Sequence, residues 1–116
     1  MNPAKWEALK ARAQRVIDQT LAELPSDILA EAKKVPYLFE PYAEEDPDLL
    51  GIYAGDFMPG EMSAANGPIV LYLAAIEEFC LDEEVEFADE VRVTYLHELG
   101  HHFGWDEDDL EERGLE

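Results

Sequence analysis

A single cysteine, Cys80, is all the thiol chemistry the chain has. One thiol closes no internal disulfide and builds no cysteine-based metal site, so a reducing cytoplasm is the expected location. Long apolar runs are missing as well. The longest, Ile69 to Ile76, falls far short of the ~20 residues that span a bilayer as a helix. The opening MNPAKWEALKARAQRV has neither a continuous apolar core nor a small-residue cleavage site, and no signal peptide is expected. Basic residues are scarce: 8 Lys and Arg face 28 Asp and Glu, for a net charge of −20. The deficit is uneven, with nets of +1 over residues 1–34, −7 over 35–76 (which hold no base) and −14 over 77–116. Such a surface repels phosphate backbones and argues against a nucleic-acid partner. It serves as a solubility shell, or it attracts cations, meaning metal ions or basic peptide segments. No internal repeat or low-complexity segment is visible. Hydrophobic residues are 47% of 116, enough for one core and too few for two, so residues 1–116 are expected to form one domain.

Periodicity organises what is present. Asn2 followed by Pro3 is a favoured helix start, and Trp6, Leu9, Ala13, Val16, Ile17, Leu21 and Leu24 recur at helical steps up to Pro25. Ser26 or Asp27 opens a second, short helix that ends before Pro36. VPYLFE and GIYAG read as short strands, and the charge-free IVLYL as a third. AAIEEFC begins a helical turn. Asp82 is a candidate cap for one long helix reaching Gly104, the expected left-handed stop. The acidic WDEDDLEERGLE closes the chain as a last turn or short helix. The order predicts a small α+β fold: helices, a small mixed sheet, then a long helix.

Every histidine in the chain lies in HELGHHFG, residues 97–104. His97 and His101 are four residues apart on the expected long helix, so both imidazoles share one face, one turn apart. That spacing lets two neutral ring nitrogens reach one Zn2+ at about 2.0–2.1 Å. Glu98, about 100° further round the helix, reaches a water on the metal and suits a general base. This is the HExxH arrangement; by chance it arises in a chain of this size on the order of a few times per thousand. The bland alternative is a pair of packed histidines bonded to carbonyls. His102 reads as a packing or hydrogen-bonding neighbour. Tyr95 is about 200° from His97 on the helix and faces elsewhere, whereas Tyr53 and Tyr72 could approach only through the fold. A third protein ligand is needed; Gly104 lets the chain reverse, and Glu107 follows three residues later, with Asp108 and Asp106 as alternatives.

HExxHxxGxxH is the metzincin pattern, and HExxHxxGxxE is a carboxylate variant of it. More closely, LYLAAIEEFC and VRVTYLHELGHHFGWDEDDLEERG resemble the small bacterial zincin-like metallopeptidases, over residues 69–114 strongly and 35–55 more loosely. The resemblance implies a minimal zincin-like domain, with His97, His101 and Glu107 as zinc ligands and Glu98 as base. That family usually carries Asp at the third position. Strand Ile69–Leu73 resembles the edge strand on which zincins hold an extended peptide; it also reads as an ordinary strand with Ile69, Leu71 and Leu73 in the core. Two functions follow as expectations. One is a zinc-dependent peptidase acting on a peptide or protein substrate, with basic segments favoured by the acidic surface. The other is a non-enzymatic metal-binding domain that keeps the scaffold and regulates a partner. No methionine follows the motif; Met58 and Met62 lie upstream.

Overall fold

The Asn–Pro pair at the start does what its chemistry predicts. Asn2 Oδ1 accepts the Lys5 amide at 2.8 Å, and Pro3 opens α1 (Pro3–Ala22), where its missing N–H removes no intrahelical bond. The computed structural model describes residues 2–53 and 68–104, with Asp108 and Glu112. The inward stripe of α1 is Leu9, Ala13, Ile17 and Thr20; Thr20 satisfies its buried hydroxyl by donating to the Val16 carbonyl at 2.7 Å. After Pro25, α2 (Ser26–Ala32) contributes buried Ala32.

Among the described residues three short strands follow: β1 (Tyr37–Glu40), β2 (Gly51–Tyr53) and β3 (Ile69–Tyr72). Their order is β1-β3-β2. β3 runs parallel to β1, Tyr37 opposite Ile69, and antiparallel to β2, Gly51 opposite Leu71. β3 is therefore central and not the edge strand that the resemblance implies: its backbone is paired on both sides, Leu73 already belongs to the next helix, and among the described residues β2 lies at the edge. Two-sided burial explains the absence of charge in IVLYL. Ile69 and Leu71 enter the main core with Leu9, Ile17, Tyr95 and Leu99, while Val70 and Tyr72 pack on the other face under Ala43, Leu49, Leu50 and Ile52.

The helical turn expected at AAIEEFC is a full helix that runs past Asp82, and the long helix expected from Asp82 to Gly104 starts later, at Phe87. α3 (Leu73–Glu83) leaves β3 directly and ends at Glu84, which is left-handed at φ 57°. The Val85 amide donates to the Cys80 carbonyl, and α4 (Phe87–Phe103) begins after Glu86. α4 packs on α1, α3, β2 and β3, and it stops at Gly104, φ 73°, as expected from the sequence. Helices and a small mixed sheet make the fold α+β. Among the described residues no helix is long and apolar enough to cross a membrane. The closing acidic segment lies largely outside the described residues; Asp108 and Glu112 are helical and exposed.

Candidate functional site

The last turns of α4 carry the site residues, held in place by the core side of the same helix, where Val91, Tyr95, Leu96 and Leu99 are buried. On the opposite stripe the His97 and His101 rings lie with centroids 5.0 Å apart and planes at 64°. Two imidazoles on one tetrahedral zinc, with Zn–N bonds of about 2.0–2.1 Å, place their ring centres about 5 Å apart. The observed pair matches that separation, and neutral imidazole is the donor zinc favours, so these residues fit the metal that the motif implies.

Glu98 is buried, at 7% exposure, and its Oε1 is 3.1 Å from His101 Nδ1. A carboxylate acceptor at Nδ1 fixes the tautomer, with the Nε2 lone pair as the acceptor side of the ring. Because a carboxylate has about four lone-pair sites, this contact is compatible with a second partner such as water. Of the proposed third arms, Glu107 and Asp106 lie outside the described residues, and Asp108 is exposed. Among the described residues no group of three or more His, Cys, Asp or Glu side chains is placed to hold a metal ion.

Beside His97 a pocket of about 290 Å³ opens between α4 and the β2 edge. Leu49, Leu50 and Gly51 form one wall and Val93 and Thr94 the other, with His97 and Glu98 on one side and Glu90 two helical turns earlier. The close approach of β2 to α4 depends on Gly51: a Cβ there would sit 2.8 Å from Thr94 Cγ2 and 3.1 Å from the Val70 carbonyl oxygen. Thr94 Oγ1 in turn donates to Glu90 Oε2 at 3.0 Å.

His102 is turned away from the His97–His101 pair, its side chain 3% exposed. Its Nε2 lies 3.2 Å from Glu31 Oε1 and its Nδ1 3.0 Å from the Tyr53 hydroxyl. A carboxylate only accepts, so Nε2–H donates to Glu31 and, in the neutral ring, Nδ1 accepts from Tyr53. The expected hydrogen-bonding role is present, with side chains of α2 and β2 as partners. This hydrogen bond, followed by those of Lys34, holds the Glu31 carboxyl below its ordinary pKa. Glu31 is the residue that sequence reasoning missed, because 71 positions separate it from His102. Of the tyrosines, Tyr53 is bonded to His102, Tyr72 packs on the far sheet face, and Tyr95 is wholly buried in the core, edge-on to Tyr37.

A helix that presents two histidines and a buried glutamate, packed under a small mixed sheet, defines a minimal zincin-like domain. The family model for zincin-like metallopeptidases matches residues 26–115. The chain belongs to that family. The match begins at α2, so α1 lies outside it, although α1 supplies Leu9, Ala13 and Ile17 to the shared core. No curated protein matches the chain.

Proposed function

We propose that the chain is a zinc-dependent peptidase, with His97 and His101 as two ligands, Glu107 as the third and Glu98 as general base. The observation that carries this reading is the 5.0 Å separation of the two rings next to a buried Glu98. When bound, Zn2+ supplies a Lewis acid for the scissile carbonyl and lowers the pKa of water toward about 7. The two histidines would hold the ion through unprotonated ring nitrogens. Glu98 takes the proton of the attacking water and passes it to the leaving amine. Its low exposure keeps bulk water from competing for that proton. An extended peptide pairs with β2, the edge strand among the described residues, which lies against α4. The lone cysteine is buried, in keeping with work in a reducing cytoplasm.

Elemental analysis of the purified chain combined with Glu98→Gln tests the reading. One zinc per chain is expected in both proteins, with kcat/KM on peptides reduced by at least about 100-fold in the variant. Peptide cleavage that survives Glu98→Gln overturns the mechanism. Zinc without hydrolysis of a broad peptide library supports instead a metal-binding domain that regulates a partner. Glu107→Ala is expected to lower zinc occupancy, and Asp108→Ala to leave it unchanged.

A further inference from the structure

We infer that the pocket between β2 and α4 is a recognition site for a lysine or arginine side chain, with Glu90 as the residue that sets this specificity. The inference rests on the peptidase reading for placing the scissile bond at His97 and Glu98; the pocket itself stands on its own geometry. Its lining is apolar at Leu49, Leu50 and Val93, and Glu90 lines the same pocket. Glu90 precedes His97 by seven residues, about 10 Å along the helix axis, a span that suits only the longest side chains. An apolar side chain filling the pocket would strip water from the Glu90 carboxylate and give nothing back. A lysine or arginine packs its methylenes on the leucines and brings its charge to that carboxylate. The carboxylate is prearranged for this, since Thr94 Oγ1, in a residue only 6% exposed, donates to Oε2 and leaves Oε1 to a cation. The absent Cβ at Gly51 keeps β2 close enough for Leu49 and Leu50 to wall the pocket. A chain with a net charge of −20 adds attraction of the same sign.

The test uses the zinc-loaded full chain and peptide pairs differing by lysine against norleucine at one position, scanned across the scissile bond. At one position kcat/KM is expected to favour lysine by about ten-fold or more, and Glu90→Gln is expected to reduce that ratio about ten-fold. Glu90→Asp, which keeps the charge, retains part of it. A second measurement needs no catalysis: n-pentylamine and 1-pentanol are titrated separately while the Val93 and Thr94 amide signals are followed. The amine is expected to bind at least about five-fold tighter, a difference that Glu90→Gln removes. Cleavage with no lysine preference, or equal binding of amine and alcohol, overturns the pocket assignment and leaves the peptidase reading intact. Amine binding lost in Glu90→Gln, with no peptide cleaved by the zinc-loaded protein, supports the pocket and removes the peptidase.

Discussion

The ring of His102 bridges Tyr53, 49 residues earlier, and Glu31, 71 residues earlier, whereas His97 and His101 stand within one helical turn. That contrast separates what could be read from the chain from what could not. A four-residue spacing is a local fact of helix geometry, and the motif displays it directly. The partners of His102 depend on how α2 and β2 dock on α4, and no spacing encodes that. The Glu31–His102 bond makes a pH-dependent prediction. The folded carboxyl titrates below its ordinary 4.5, so the bond contributes in full above that value and is lost as pH falls through the folded one. The difference in melting temperature between the native chain and Glu31→Gln is expected to be largest near neutral pH and to close below about pH 4.5, as followed by circular dichroism. A difference that widened toward acid would contradict this sign. Tyr95 offers a second case. Burial, with a smaller contribution from Tyr37, pushes its hydroxyl up to about 12, and that hydroxyl has no hydrogen-bond partner among the described residues. An unpaired buried donor costs about 1–3 kcal/mol, whereas the dispersion energy forfeited with one oxygen is only about 0.1–0.2 kcal/mol per neighbouring atom. Tyr95→Phe is therefore expected to raise stability by about 1 kcal/mol in urea unfolding, and a loss of stability would show that the hydroxyl is satisfied.

Helix starts, stops and strand positions were legible where a residue type carries the signal: Asn2–Pro3 for α1, Gly104 for the end of α4, a charge-free run for β3. Two larger features were not. The position of the break between α3 and α4, expected before Asp82 and found at Glu84 to Glu86, hides because a run of acids after Asp82 suits the first turn of a helix equally well. The strand order hides because pairing is a long-range choice, and the central place of β3 shows only when β1 and β2 flank it. The break is also where the backbone is strained. Glu84 is the non-glycine residue at positive φ among those described, a conformation that costs roughly 1–2 kcal/mol. Glycine removes that cost and adds up to about 1 kcal/mol of unfolded-state entropy. Glu84→Gly is thus expected to stabilise by about 0.5 kcal/mol, a rise of roughly 3 °C in melting temperature. The contact between β2 and α4 behaves in the opposite sense. At Gly51 an added Cβ meets Thr94 Cγ2 at 2.8 Å, and overpacking of this kind costs about 1–3 kcal/mol. Because serine keeps the hydroxyl and lacks Cγ2, Thr94→Ser is expected to recover much of what Gly51→Ala loses. Strict additivity in the double-mutant cycle would mean that the two residues do not meet.

Charge acts on the molecule as a whole. The basic residues are concentrated at the N-terminal end, and ion pairs tie α1 to the acidic remainder: Lys5 Nζ to Glu77 at 2.9 Å and Arg92 Nε to Glu23 at 3.9 Å. Each pair joins an exposed side chain to a half-buried one at the surface, and such a surface pair is worth about 0–1 kcal/mol. With 28 acids and 8 bases, most carboxylates have no base to pair with, and their mutual repulsion opposes the compact state. Added salt weakens the few attractions and the many repulsions together. The Debye length shrinks from about 30 Å at 0.01 M to about 8 Å at 0.15 M, against a molecule whose longest dimension is 37 Å. Repulsion summed across the body is therefore screened most strongly, while pairs at 2.9–3.9 Å are well inside the screening length. The melting temperature is expected to rise as sodium chloride increases through this range, and to rise as much with potassium chloride, since screening depends on ionic strength rather than on the identity of the cation. Calorimetry across the two salt series decides the point: a melting temperature that falls with salt would mean that the exposed pairs outweigh the repulsion, and a response specific to one cation would point to bound ions rather than to screening.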